Sequence, residues 1–309
     1  MEIINGFRFK HSYPVRGLFM RVSNSKFGMM LSLPGAFVLF LWVVVPLGIL
    51  VVTSFLRYDN IHPVVFGGLK NYEYVFNHRI FWLSFKNTVI FCAGVTSLSL
   101  VVSLVLAHSL SRINRFASIF RSLSMFPWAV PMVVSGFMWA QMFNPSFGVI
   151  NDFLLRTGII SKPMDIFGNP ALAMIGVIFA DAWTRIPFMT IIILAGLESI
   201  DPSLYEAARV DGADSIQIFR RISLPLNKKA IMTGVIITTI FSFRTIDTIF
   251  SMTFGGPAKG TYTFGFYILD NIYRFFNFGV AGAMSIILLI LLLIIGSVFI
   301  YQTLRIEER

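Results

Sequence analysis

One cysteine, Cys92, stands in a chain of 309 residues. A lone thiol excludes a disulfide framework and any metal site built on several cysteines. Histidine is almost as scarce: His11, His62, His78 and His108 are scattered, and no H-E-x-x-H or similar paired spacing joins them. A metal site is therefore not expected. Charge is thin too, with 13% of residues charged against 56% hydrophobic and a mean hydropathy of +0.77. A soluble domain of this length needs far more polar surface to cover its core. The glycines of "GGPAKG" (255–260) do not make a phosphate loop, because G-x-x-x-x-G-K-[ST] and its strand–loop–helix setting are both missing. No nucleotide site, nucleophile–base pair or paired-carboxylate site is visible, so the chain does not read as an enzyme.

What the sequence does hold is apolar length. Six segments reach the roughly 20 apolar residues that a spanning helix needs: about 29–55, 84–110, 119–142, 171–198, 229–250 and 279–304. With 33 phenylalanines and 5 tryptophans, this reads as an all-α integral membrane protein, multi-pass in a plasma or inner membrane with lipid around it. Residues 1–28 form a basic tail, 29–304 the transmembrane domain and 305–309 a short terminus. Several segments contain proline, as in "FPWAVP" (126–131), which membrane helices tolerate when neighbours satisfy the freed carbonyls.

The net charge of +10 raises the question of nucleic acid, but its distribution points elsewhere. Arg8, Lys10, Arg16, Arg21 and Lys26 crowd the tail, and Arg112, Arg115 and Arg121 the connection after the second segment. With both termini in the cytoplasm, 15 Lys and Arg fall on that side and 8 outside, leaving Arg185 and Arg244 within spans. This is the positive-inside pattern, and no nucleic-acid partner is expected. The tail's long basic region and roughly 27-residue first apolar run predict an uncleaved anchor rather than a signal peptide. Residues 6–21 read either as an inner-leaflet segment or as a plain tail.

One stretch, "LYEAARVDGADSIQIFRRISLP" (204–225), does not match its apolar surroundings. Asp201-Pro202 reads as an N-cap followed by proline at the first helical position. The helix it starts is expected to stop at Gly212. Asp214 with Gln217 then forms an aspartate capping box for a second helix ending before Pro225. Leu204, Ala207, Ala208, Ile216, Phe219 and Ile222 are the apolar residues of the two pieces. The residues alone leave two readings open: a docking element, with Phe219 as an anchor, or a connector covering the helix ends.

The pattern Glu206-Ala207-Ala208, three residues, Gly212, nine residues, Ile222, one residue, Leu224-Pro225 resembles the EAA loop of binding-protein-dependent ABC importer permeases. The likeness extends over most of 29–304. "GLKNYEYVF" (68–76), "FWLSFKNTVIF" (81–91) and "GVIND" (148–152) resemble sugar-type permeases. "FGGPAKGT" (254–261) and "YRFFNFGVAGAMS" (273–285) are similar to the half of the heterodimer related to the larger maltose permease subunit. The resemblance implies a second related permease, two ATP-binding cassette subunits that hold ATP and Mg, and an external solute-binding protein. This chain itself is expected to carry no cofactor. In such an assembly the 201–225 loop is a rigid lever docked in the ATPase, with Glu206 as its polar contact, and the pathway alternates between inward-facing and outward-facing forms.

Ionisable groups inside a span are costly and usually face a polar interior. Asp181 and Arg185 lie four apart on one helical face, and Arg244 and Asp247 three apart. Two readings stand for each pair: a polar pathway for sugar hydroxyls, with Trp183 and Phe188 able to stack on pyranose faces, or an ion-pair clasp between helices. The family often carries an aromatic residue before the fifth-span aspartate, whereas here Ile246 precedes Asp247. Trp42, Trp82, Trp128, Trp139 and Tyr273 read as interfacial belt or bundle packing, and Asn87 and Gln141 as satisfying nearby backbone or meeting a docked protein. The balance of two arginines by two aspartates leans toward a neutral solute. A permease for another solute class and a secondary transporter are the alternatives, although the inverted repeats of the latter are not evident.

Overall fold

The computed structural model describes residues 24–113 and 117–307. Most of the basic tail, the 6–21 segment, Arg115 and the last two residues lie outside these. The chain divides into two compact units, residues 1–49 and 50–309. Within the first runs α1 (Asn24–Leu39), then a π-turn (Phe40–Val44), then the start of α2 (Val45–Ser54). Pro46 follows the π-turn directly. Proline lacks an N–H and its ring presses on the carbonyl four residues back. The wider turn, in which Val45 N–H reaches Phe40 O, accommodates that defect without breaking the helix.

The second unit opens with a small antiparallel hairpin, β1 (Leu56–Arg57) and β2 (Val65–Phe66), pairing Leu56 with Phe66. The amphipathic α3 (Lys70–Asn77) leads into the long α4 (Arg79–Leu110). Next come α5 (Ala117–Ser124), α6 (Phe126–Ala129), α7 (Met132–Met142) and α8 (Val149–Arg156). A 3-10 turn at Ile166–Gly168 precedes α9 (Pro170–Glu198). The remaining helices are α10 (Pro202–Val210), α11 (Ser215–Ile218), α12 (Leu224–Leu226), α13 (Lys228–Phe243), α14 (Asp247–Met252), α15 (Phe264–Tyr273) and α16 (Phe278–Glu307).

Among the described residues, four helical stretches are long and apolar enough to cross a membrane: Gly28–Ser54, Arg79–Leu110, Pro170–Glu198 and Phe278–Thr303. The other two expected spans are not continuous helices. The 119–142 segment is cut into α5, α6 and α7, with Val130 and Pro131 extended between the last two. Pro127 and Pro131 remove donors, and the residue before proline avoids the helical region. The 229–250 segment is cut at 244–246, between α13 and α14. Expected and observed ends also differ at α4, which starts at Arg79, five residues before position 84, after the extended His78.

The bundle is centred on α4 and α9. Along α4 the buried residues Asn87, Phe91, Val95, Ser99, Ser103 and Ala107 recur every four positions, a single helical face rich in small side chains. Gly94 lets α9 come close: a Cβ there would sit 2.6 Å from Ile178 Cδ1. Ser103 donates to the carbonyl of Ile186 at 3.0 Å, beside the interior Pro187 of α9.

Three asparagines from the stretches singled out in sequence staple irregular loops. Asn71 donates to the carbonyls of Ser54 and Leu56, both at 2.8 Å. Asn87 donates to Lys259 O (2.9 Å) and Tyr262 O (3.2 Å). The buried Asn151 donates to Phe143, Asn144 and Met164 carbonyls and accepts from Met164 N–H at 2.8 Å. Each supplies an irregular backbone with partners that no helix or strand provides. For Asn87 this matches the backbone-satisfying role read from sequence.

Candidate functional site

Two arrangements gather the residues singled out in sequence: the loop between α9 and α13, and the polar break between α13 and α14.

In the loop, Asp201 accepts from Ser203 N–H at 2.9 Å and caps α10. That backbone bond, followed by the Ser203 hydroxyl, holds its carboxyl below the usual carboxylate range. The helix ends in a double clasp: Ala213 N–H reaches Ala208 O at 2.9 Å and Gly212 N–H reaches Arg209 O at 3.1 Å. These are the two bonds of a Schellman end, and Gly212 carries the positive φ of +80° it requires. Asp214 and Gln217 complete a reciprocal capping box, with Asp214 accepting from Ile216 and Gln217 N–H (both 2.8 Å) and Gln217 accepting from Asp214 N–H (3.0 Å). Both ends of the turn are thus fixed by side-chain and backbone bonds.

The second piece does not stop before Pro225, as its sequence predicts. A π-turn over Phe219–Ser223, closed by Leu224 N–H on Phe219 O, carries the chain through α12 into α13. Pro225 follows this π-turn as Pro46 follows the one in the first unit, so the same backbone device absorbs both prolines. A near-continuous helical path, with Asn227 as a single turn residue, leads into α13 where an ending was expected.

The faces of the loop are sorted by their neighbours. Ile218 is buried, and Tyr205 packs against the cluster of Met189, Ile193, Leu194 and Leu197 on α9. Tyr205 and Ser223 hydroxyls lie 3.4 Å apart. Phe219, for which the sequence offered an anchor role as one of two readings, is half-buried and stands edge-on to His108 of α4 with centroids 4.9 Å apart. Ala208, Ile222 and Leu224 are half-buried, whereas Glu206, Ala207, Gly212 and Pro225 are exposed. Val210 is 88% exposed and Ile216 69%. Sequence reasoning passed over Val210 because it sits at the helix end, outside the spacing of the motif. Arg121 of α5 pairs with Glu198 at the end of α9, which ties the loop's root to the preceding segment.

At the break, Asp181 is fully buried on α9 and takes Arg185 Nε on Oδ2 at 3.2 Å. Its Oδ1 accepts from the Thr248 hydroxyl at 3.0 Å. Arg185 Nη2 donates to the Thr245 hydroxyl at 3.0 Å and approaches Met132 Sδ at 3.6 Å. Thr245 N–H bonds Ser242 O, three residues back, so Phe241 O loses the amide it would have in a continuous helix; the Thr245 hydroxyl donates to it at 3.1 Å. Thr245 and Thr248 lie on opposite sides of 246, and neither was singled out in sequence. Threonine in an apolar run signals little until its neighbours are known.

Arg244 and Asp247 do not pair with each other. Both are exposed, on the surface of the isolated bundle. Arg244 Cζ lies 5.0 Å from the Phe241 centroid, and Arg185 Cζ lies 5.4 Å from the same ring. One aromatic ring therefore receives two guanidinium groups. Arg244 caps the C-terminal end of α13 and Asp247 opens α14, each with the charge that the adjoining helix dipole favours. Trp183 stands edge-on to Trp139 of α7 at 6.0 Å, and Phe188 stacks on Trp128 of α6 at 6.2 Å. Both join α9 to the broken third segment and are half-buried there. Of the expected pathway residues, Asp181, Trp183, Arg185 and Phe188 are thus engaged within the bundle, whereas Arg244 and Asp247 retain exposed charge.

This helical membrane bundle, with its capped two-helix loop and polar broken helix, is matched from residue 99 to 305 by a family model described as the inner membrane component of binding-protein-dependent transport systems. The chain belongs to that family. It is 32% identical to the trehalose/maltose transport system permease protein MalF of Thermococcus litoralis, over 91% of this chain and 95% of that protein. It is 34% identical to the sulfoquinovosyl glycerol transport system permease protein SmoG of Agrobacterium fabrum, over 88% of each. A chain of the crystallised bacterial alginate ABC transporter, in complex with an alginate pentasaccharide-bound periplasmic protein, shares the fold with a TM-score of 0.77 at 20% identity. That match covers 91% of this chain and 94% of that one.

Proposed function

We propose that this chain is one membrane-spanning subunit of an ATP-driven ABC importer that brings a sugar, mono- or oligosaccharide, into the cytoplasm. The family membership and the names of the two permease relatives support the solute class. The observation that carries the coupling role is the 201–226 loop, capped at both helices and continuous with α13. A lever transmits displacement only if it does not deform, and here the turn is held by paired backbone bonds and a reciprocal capping box.

In this reading the chain crosses the membrane six times with both termini cytoplasmic. The broken third and fifth segments then count as spans whose irregular backbone is shielded by protein, as membrane depth demands. The partners are a second related permease, two ATP-binding cassette subunits that bind ATP and Mg, and a solute-binding protein outside. Glu206, Ala207, Val210 and Ile216 form the exposed docking face toward the ATPase. Arg244 and Asp247 contact the sugar in the pathway between the two permeases, which alternates between inward-facing and outward-facing forms as the ATPases close and open. The matched charges, two arginines with two aspartates, lean toward a neutral sugar.

Purification of the native chain with mild detergent tests the assembly, because a second permease and an ATPase are expected to co-purify. Uptake of radiolabelled sugar by proteoliposomes, driven by internal ATP and the external binding protein, tests the direction and energy source. Uptake that persists without the ATPase overturns the reading in favour of secondary transport.

A further inference from the structure

We propose that Asp181 and Arg185 are positioning residues that grip both lips of the α13–α14 break and thereby aim Arg244 and Asp247 into the pathway. This rests on the reading of Arg244 and Asp247 as pathway residues.

The bond between Asp181 Oδ2 and Arg185 Nε leaves the second carboxylate oxygen and the other guanidinium N–H groups to find partners, and neighbours on their own helix could have supplied them. Instead each spends a further bond on a threonine of the broken helix. Asp181 Oδ1 holds Thr248, in the first turn after the break. Arg185 Nη2 holds Thr245, within the break, and the Thr245 hydroxyl in turn donates a hydrogen bond to the Phe241 carbonyl near the end of α13. A single buried ion pair therefore touches both sides of residue 246. The break needs such a grip: the i→i−4 ladder is interrupted where Thr245 N–H turns to Ser242 O instead of Phe241 O, and an unsatisfied carbonyl in hydrocarbon costs several kcal/mol.

The order of residues sets what the grip accomplishes. Arg244 and Asp247 immediately precede Thr245 and Thr248, so each exposed charge is one residue from a held hydroxyl. The Phe241 ring is shared by Arg185 and Arg244, which further fixes the direction of Arg244 from the Arg185 side. Asp181, with 0% exposure, and Arg185, with 14% of its side chain exposed, are too enclosed to meet a sugar themselves. Their effect on transport runs through the backbone they hold.

The test uses valine at the two threonines, Thr245→Val with Thr248→Val, which keeps side-chain volume and leaves the Asp181–Arg185 pair intact. Thr245→Ser with Thr248→Ser retains the hydroxyls and serves as rescue. All are made in the assembled transporter. The first readout is solute moved per ATP hydrolysed. The valine pair is expected to lower this ratio about tenfold, the scale of losing hydrogen bonds to charged groups, while the serine pair matches wild type. The second readout is the rate of Asp247→Cys alkylation in a Cys92→Ser background, followed on this chain by mass. The valine pair is expected to change that rate several-fold, and the serine pair to leave it unchanged.

The proposal is overturned if the valine pair equals wild type in both readouts. It is also overturned if transport and hydrolysis fall in parallel with the amount of assembled complex, as a purely structural clasp would require. Normal transport by Arg244→Ala and Asp247→Ala would remove the pathway reading alone, and the alkylation rate would still decide whether the ion pair positions the break.

Discussion

Asn227 donates its side-chain amide to the main-chain carbonyl of Ile193 at 2.9 Å, joining the helix that leaves the 201–226 loop to the helix that enters it. Gly196, one turn further along α9, makes room for this contact. A Cβ there would lie 2.5 Å from Ala230 Cβ and would overlap the Asn227 carboxamide. The loop is thereby clamped at its root, with α9 and the start of α13 bonded to each other. Gly196→Ala is expected to destabilise the subunit by about 1–3 kcal/mol through overpacking. Thermal unfolding of the detergent-solubilised complex measures this. Asn227→Leu is expected to assemble but to transport less solute per ATP.

Gly212 stands at φ +80° with open space around it, so the restriction on this position is backbone conformation rather than room. Gly212→Val forces a β-branched residue into the left-handed region, at a cost of about 1–2 kcal/mol or more. ATP hydrolysis is expected to continue while uptake falls, and Gly212→Asn is expected to be much milder because asparagine tolerates that region. Parallel assays of hydrolysis and uptake in proteoliposomes check the contrast. Unchanged uptake in the valine variant with normal assembly would falsify the lever.

The face proposed to dock on the ATPase combines one carboxylate with exposed apolar groups at Val210 and Ile216. Exposed charge pairs contribute about 0–1 kcal/mol, whereas a buried apolar side chain contributes about 1.5–3 kcal/mol. Ile216→Ser and Val210→Ser are therefore expected to weaken ATPase association more than Glu206→Gln. Binding of the purified ATPase to immobilised permease measures the order.

Asn87 fills two carbonyls of the 254–262 loop at once. Asn87→Leu takes this donor from Tyr262 O and leaves Lys259 O with the Tyr262 N–H alone, an expected loss of about 1–3 kcal/mol. The unfolding temperature should fall, and limited proteolysis near Lys259 should accelerate. Asn87→Asp should not rescue, because a carboxylate cannot donate to a carbonyl.

The Asp201 cap titrates. Its carboxyl is held below the ordinary range by Ser203, so the folded loop favours the charged form. That contribution is complete above the unfolded value of about 3.9 and is lost as pH falls through the lower folded value. Hydrogen exchange at residues 203–205, corrected for its intrinsic pH dependence, is expected to rise at acid pH. Asp201→Asn should show no such rise.

The likeness of this chain to a transport permease was legible in the spacing of Glu206, Gly212 and Pro225, and family membership agrees with it. The caps were legible because capping is a local matter between residues two or three apart: Asp201, Asp214 and Gln217 occupy the roles their positions imply. Pro225 misled, since a proline reads as a stop unless a π-turn before it can be foreseen, and that turn depends on packing of Ile218 and Ser223 against the bundle.

By itself, then, the sequence determined a helical membrane chain, its capped loop and the charges that need explanation, because length, periodicity and capping act over a few residues. Which face of each apolar helix is buried, that α13 and α14 part at 244–246, and that Asp181 and Arg185 hold both sides of that break were decided only in three dimensions. In helices apolar all round, hydrophobicity does not choose a neighbour. The choice falls to small residues such as Gly94, and to hydroxyls such as Thr245 and Thr248, whose partners are 60 and 67 residues away in the chain.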